Sequence, residues 1–464
     1  MAARSARLAL AGGCAAVLAL AACSAGSSTT TKHASPAAGR SRPGASSPAT
    51  LPQPVIAGAP GAPPKVTGWL SPAEYMAAYD TGPLLSRGIT GKGQTIAIMI
   101  DSGSPTIRHD LAAYDKAWHL PAPPSFRIIT PLGPVPPFRP TGDRTDAASE
   151  TTLDVEAAHL MAPGAALLLV EIPPPVSGGI PKMVRAMVYV IRHHLASVMS
   201  LSIASAEAGN LASSLRRYHR ALLAAGRAAG PVTIVAATGD GGVAELTPDG
   251  HHVYPTPQVT WPASDPLVVA VGGTELELGE QSPGDPIAPS ISWPGSNGGR
   301  STVFARPSWQ RTVAGVARRW RAVPDISMAG SPASSLEMYA TPRSIGFPKA
   351  DKWSPNGGAS LATPLFAGVV ALAGQLAGRP LGLINPLLYR LAAQHDPGVV
   401  DVQGQGNTFH ASHVTIRGFP AGPGYDLVTG LGTIDAAKFV PGLAWLALGK
   451  ALSARALVPG TGTL

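Results

Sequence analysis

Five short runs of large apolar residues constrain the fold of this chain more than any other feature. They lie at 95–100, 165–170, 197–203, 232–236 and 267–271, are rich in Val, Ile and Leu, and show no polar alternation. A strand with one wet face alternates polar and apolar residues, so runs without alternation are strands buried on both faces. Longer stretches with helical spacing separate them, at 105–118, 149–161, 181–194 and 209–229. Strand and helix alternating at this spacing indicate right-handed crossovers and predict an α/β fold with a mostly parallel sheet flanked by helices. Working groups in such folds collect at the carboxyl ends of the strands. Charged residues make up only 13% of the chain, which suits one large, well-buried domain.

Glu150 and Asp154 lie four residues apart in ETTLDVEAAH, inside one predicted helix. Residues at i and i+4 share a helix face, so both carboxyls can point at one site. Two acids held that close do not both ionise cheaply. One pKa rises, and a glutamic acid then serves as a base at a pH where histidine would be protonated. From Glu150 to Pro163 this helix has no Lys or Arg, unlike a solvated face, so its acids are paired elsewhere or functional. His159, on the same helix, reads as structural.

Far downstream, Ser360 follows Gly357-Gly358-Ala359 and opens an apolar helix of small residues in GGASLATPLFAG. Such a turn exposes a hydroxyl for nucleophilic work, but the position equally suits an N-cap serine. Asp240 stands in Gly239-Asp240-Gly241 directly after an apolar run; alone, this is more often merely a turn.

The blocks GITGKGQTIAIMIDSG, ETTLDVEAAHLMAPGA, VAATGDGG, WPASDPLVVAVGGT, GGRSTVFARPSWQ, RAVPDISMAG, GGASLATPLFAG and AGPGYDLVTGLG follow one another in the chain. In kind and order they resemble the sedolisin family, serine-carboxyl peptidases related to subtilisin. The resemblance implies a subtilisin-like fold, a single catalytic domain over 68–440, and cleavage of peptide bonds at acid pH in an endopeptidase or tripeptidyl-type mode. It makes Ser360 the nucleophile, Glu150 its general base and Asp154 the acid that orients Glu150. Asp240 becomes the group that, protonated, donates a hydrogen bond to the oxyanion. It also implies one Ca²⁺ site, built from the carboxylates of Asp401 and Asp426 and the carbonyls of Val402, Gly422 and Gly424.

The chain departs from the family at Ala359, where threonine is usual, and at Thr238 and Gly241, which flank the oxyanion acid in place of serines. Relatives carry a long amino-terminal prodomain, whereas residues 23–67 here are a low-complexity stretch, so the domain either folds unaided or is activated differently. Two other functions stay open. Asp101 in IMIDSG resembles the aspartate of a conventional subtilisin, although the His-Gly-Thr-His segment is missing. The altered loops would also suit a surface lipoprotein that keeps the fold and binds peptides with weak or no cleavage.

Residues 1–22 contain Arg4, Arg7, an apolar run and Leu20-Ala21-Ala22 ahead of Cys23, the pattern of a bacterial lipoprotein signal, with an ordinary secretory signal as the alternative. Cleavage would leave Cys23 carrying lipid and remove Cys14, so no internal disulfide is expected. Residues 23–67, mostly Ser, Thr, Ala, Gly and Pro, form a disordered tether averaging about 35–40 Å end to end. Residues 441–464 are a carboxyl-terminal extension. The expected location is the extracellular face of the bacterial cell membrane, or secretion. No later segment sustains about eighteen consecutive apolar residues, so no membrane-spanning helix is predicted.

The formal charge of +8 falls by two with Arg4 and Arg7, and the remaining basic residues read as scattered, which argues against a nucleic-acid partner. Peptide or protein substrates and a membrane are the expected partners of a monomer. His193-His194, His251-His252 and His410 with His413 lack convergent partners for zinc.

Overall fold

The computed structural model describes residues 69–174, 179–277, 290–341, 343–346, 352–411 and 414–449. The expected signal, Cys23, the tether and His413 lie outside these residues.

The apolar runs assemble into one eight-stranded sheet: β1 Thr95–Asp101, β2 Phe126–Ile129, β3 Ala166–Ile172, β4 Val198–Leu201, β5 Thr233–Ala237, β6 Val269–Leu276, β7 Ser290–Ser292 and β8 Ile326–Ala329. The spatial order β8-β6-β5-β4-β1-β3-β2 is parallel throughout, and only β7 pairs antiparallel, on β6. All five predicted strands are present. The three additional ones, β2, β7 and β8, have four residues or fewer, too short for a periodicity to show.

Burial on both faces is visible residue by residue. In β1, Ile96, Ile98 and Ile100 enter one core, while Ala97 and Met99 enter the other. The longer helices are α1 Ile107–Trp118, α2 Gly142–Met161, α3 Gly179–Arg192, α4 Ala212–Ala229, α5 Ala359–Ala377, α6 Asn385–Ala393 and α7 Ala436–Ala447. Helices α2, α5, α6 and α7 cover the first face, α3 and α4 the second. Helix α2 starts earlier than the predicted 149 because its first turns are polar and exposed, at Gly142, Asp143 and Asp146, and carry no apolar signal. Helix α7 runs through position 440, so the expected end of the body falls inside an element; Leu443 and Leu446 beyond it are buried.

The central element is α5. Its mean hydropathy of 1.6 over 19 residues would let it cross a membrane by composition, but 89% of it is buried inside the protein. It contacts β1, β4, β5, β6 and β8 on one side and α2 and α7 on the other. Small residues permit that density. A Cβ at Gly368 would lie 2.6 Å from Met161 Cβ and 3.1 Å from the Ala158 carbonyl of α2.

Candidate active site

The packing of α2 against α5 brings the acid pair to the serine. The N-cap of α5 is Gly358, at φ +96°, with no side-chain cap bond. Ser360 is therefore the second residue of the helix rather than its cap; its buried Oγ makes no hydrogen bond of full geometry but lies close enough to Glu150 to act on it. Glu150 is half-buried as a residue, while its Oε1 is enclosed and also without a partner. Burial pushes the Glu150 pKa up to about 7. The Ser360 hydroxyl pulls it back, the charge of Asp240 raises it again, and Ser202 lowers it.

Asp154, one turn on, is fully buried. Its pKa is raised well above the usual carboxylate range, first by burial and then by the charge of Glu150. Two carboxyls enclosed together in low dielectric leave room for one charge.

Asp240 follows β5 and lies against the start of α5. Its Oδ1 accepts from the Ala359 N–H at 2.6 Å. Glycine at 358 makes this approach possible, since a Cβ there would be 2.7 Å from Asp240 Oδ2. The link to Asp240 uses the backbone of residue 359, so alanine in place of threonine leaves it intact. The first amides of α5 have no intrahelical partner and form a positive pole beside Ser360 and Asp240. A hydroxyl, a carboxyl able to take its proton, and donors where negative charge would develop are the parts needed for acyl transfer.

Several residues escaped the sequence. Ser202 donates to Asp154 Oδ1 at 2.8 Å and lies 3.4 Å from the Ser360 carbonyl. The signal was its place at the carboxyl end of an apolar run; β4 stops at Leu201, which frees Ser202 to face the site. Behind Asp240, burial and then the Asp240 charge push Glu245 up to about 8, and Glu245 Oε1 accepts from Asn297 Nδ2 at 3.1 Å. Nothing in the sequence joins Asn297 to that loop. Asp101 ends β1 and accepts from Ser102 Oγ at 2.9 Å; the charges acting on it belong to Arg144, Lys182 and Asp143, not to the acid pair. Two other acids of α2's surroundings are structural: Glu156 accepts from the Tyr339 N–H, and Asp115 meets buried His159 at 3.2 Å.

Comparison with known proteins bears on this arrangement. Residues 147–382, the span that contains Glu150, Asp154, Asp240 and Ser360, match the family described as the subtilase family. The chain belongs to the subtilase family. Among its relatives this subtilase is 31% identical to kumamolisin of Bacillus sp. (strain MN-32) over 375 residues, covering 78% of this chain and 61% of kumamolisin. It is 28% identical to sedolisin of Pseudomonas sp. (strain 101) over 379 residues, 79% of this chain and 60% of that one. Tripeptidyl-peptidase 1 of Homo sapiens is 31% identical over 304 residues, 62% of this chain and 51% of the human protein. The chain thus spans about three fifths or less of the length of these curated relatives. A solved structure of Pseudomonas sedolisin, a serine-carboxyl proteinase complexed with two molecules of pseudo-iodotyrostatin, superposes with a TM-score of 0.65 at 27% identity, covering 80% of this chain and 96% of that one.

The subtilase also gathers the residues expected at a cation site. Asp401 Oδ1 accepts from the Gly424 N–H at 3.1 Å. Asp426 is buried and accepts from Gly422, Val428 and Thr429 amides. Thr429 Oγ1 contacts both Asp426 and the Val402 carbonyl. Two carboxylates and the main chain of 402 and 422–424 thus belong to one loop cluster, a hard-oxygen donor set that fits calcium. Among the described residues no three His, Cys, Asp or Glu side chains come together, so a cation here would depend on main-chain oxygens.

Proposed function

We propose that this subtilase is a serine-carboxyl peptidase that hydrolyses peptide bonds at acid pH. The observation that carries the reading is the buried Ser360 hydroxyl close enough to Glu150 to lower that group's pKa, which burial holds at about 7, with Asp240 beside it. Ser360 Oγ attacks the scissile carbonyl carbon as its proton passes to Glu150, which Asp154 orients. The oxyanion takes a hydrogen bond from protonated Asp240. When the tetrahedral intermediate collapses, the C–N bond breaks and Glu150 returns the proton to the leaving amine. Water then attacks the acyl ester, gives its proton to Glu150, and Ser360 is regenerated.

The working form needs Glu150 ionised and Asp240 protonated. Because the Asp240 charge helps to raise Glu150, protonating Asp240 lets Glu150 lose its proton at lower pH, so the two acids exchange one proton between them. The rate against pH should be a bell on the acid side of neutrality, its acid limb from Glu150 and its alkaline limb from Asp240. Ser360→Ala and Glu150→Gln should each abolish turnover, and the double variant should be no worse than either single one. Asp240→Asn should lower the rate, move the acid limb down and flatten the alkaline limb, because an amide donates without titrating. Wild-type protein that is folded and calcium-loaded yet cuts no member of a mixed peptide library across acid pH would leave a peptide-binding lipoprotein instead.

Calcium held by Asp401, Asp426 and the carbonyls of Val402, Gly422 and Gly424 would fix the loop that packs behind the sheet's β8 edge. The Leu-Ala-Ala-Cys pattern supports lipid on Cys23, with 23–67 as a tether at the outer face of the membrane.

A further inference from the structure

Residues 286–324 contain six arginines and no Asp or Glu. Along the chain they look scattered, but the fold gathers them. Gly299–Ala305 pairs antiparallel with Trp320–Val323, setting Arg300 opposite Ala322 and Ala305 opposite Trp320. The Arg306 N–H donates to the Arg319 carbonyl at 2.9 Å. Arg321 is the structural member, buried and bonded through both Nη atoms to Asp325. Of the others, Arg311, Arg318 and Arg319 are exposed and Arg300 and Arg306 half-buried; none of the five has an ion-pair partner among the described residues.

Two features go beyond a solvated basic face. Arg300 is fixed from below: its Nε donates to the Val316 carbonyl at 2.7 Å and its guanidinium lies 5.3 Å over the Phe419 ring. Arg318 sits at φ +58°, ψ −125°, a backbone region that residues with side chains occupy at a cost of about 1–3 kcal/mol. Burial first, and then the nearby Arg318 charge, weaken the hold of Arg300 on its proton. Holding like charges together, one of them on strained backbone, is unfavourable for the protein alone and becomes favourable when an anion joins them.

We propose that this hairpin is a contact surface for anionic phospholipid headgroups. Guanidinium groups bind phosphate through paired N–H donors. At acid pH a phosphodiester stays ionised whereas carboxylates of an acidic peptide lose their charge, so phosphate is the partner that remains. Trp320, with Arg319 stacked 5.0 Å above it, supplies a ring of the kind that settles at headgroup depth. A lipid on Cys23 would hold the body near the bilayer only through the stretch 23–67, and a basic patch on the body itself is a separate contact with the headgroups.

The test uses the full chain with Cys23→Ser, so that no lipid contributes. It is co-sedimented with vesicles of phosphatidylcholine alone or with added phosphatidylglycerol, at acid and neutral pH and at two salt concentrations. Binding should need phosphatidylglycerol, weaken with salt, persist at acid pH, and fall on the order of fivefold for each of Arg300→Gln, Arg318→Gln and Arg319→Gln. Arg318→Gly is the sharper variant: relief of the strained backbone should raise its melting temperature while vesicle binding falls. Equal binding to neutral vesicles, or full binding by the triple Gln variant at an unchanged melting temperature, would overturn the proposal. So would displacement by polyglutamate, which points to an acidic peptide, or by inorganic phosphate better than by chloride of equal ionic strength, which points to an isolated oxyanion pocket. Cleavage of a soluble peptide is read separately, so an inactive peptidase would leave the vesicle result standing.

Discussion

Asp154 illustrates how much of the site's chemistry depends on a hydroxyl outside any motif. With Ser202 donating to Oδ1, that oxygen is an acceptor, and a proton on Asp154 belongs on Oδ2, the buried oxygen with no partner. Ser202 also lowers the pKa of both acids. Ser202→Ala should therefore raise both, move the acid limb of kcat/KM to higher pH, and reduce the rate by roughly tenfold, in line with a lost hydrogen bond to a charged group. Ser202→Thr, which keeps the hydroxyl, should restore the profile. A purely structural serine would change the melting temperature without moving the limb. Glu150 and Asp154 stood out as candidates through their four-residue spacing on a helix without Lys or Arg, whereas Ser360 and Asp240 became candidates only through the family resemblance. Ser202, Glu245 and Asn297 were legible in neither way, since what qualifies them is a neighbour supplied by another element.

Helices α2 and α5 meet closely enough that one methyl group is felt. Gly368→Val would press on Met161 Cβ and on the Ala158 carbonyl, a backbone atom that cannot rotate away. The expected loss is about 1–3 kcal/mol, read by denaturant unfolding, together with a fall in the proposed peptidase rate, because the two helices pushed apart are the ones that carry Glu150 and Ser360. Loss of stability with full activity would show that the two are not coupled in this way. The long buried strands and helices could be read from apolar periodicity. Strands β2, β7 and β8 could not: their three or four residues owe their conformation to a neighbouring strand. The block RAVPDISMAG shows the difference. Its order marked a relative, while its physical content, Asp325 accepting from Arg321, Tyr389, Asn385 and the Ala270 amide, needed three dimensions.

Over the whole molecule, enclosed acids tie stability to pH. Burial raises Asp80 to about 6, Glu150 and Glu337 to about 7, Glu245 to about 8, and Asp154 and Glu156 well above their usual range. The unfolded chain releases these protons near ordinary carboxyl values, so between those values and the folded ones the native state binds more protons. Stability is then fully present below ordinary carboxyl values and is lost as pH rises from there, the loss complete once the folded values of roughly 6 to 8 are passed. Melting temperature in chelator should decline toward neutrality, by about 2–4 °C for each kcal/mol lost; a flat or rising curve would contradict this account. Adding calcium should raise the melting temperature by mass action; Asp401→Ala with Asp426→Ala should abolish that increment, on top of a calcium-independent loss from the amides that Asp426 accepts from.

The position of α5 also governs timing. Glu150 and Asp154 come early in the chain, Asp240 midway, and Ser360 late, on a helix that must thread between the sheet and α2 before the core closes. Synthesis runs from the amino end, so every shorter nascent chain lacks Ser360, the proposed nucleophile, and the element that would place it. On the proposed reading, a chain emerging beside its own unfolded segments would be harmless to them, and competence would arrive only once α5 has been made and packed.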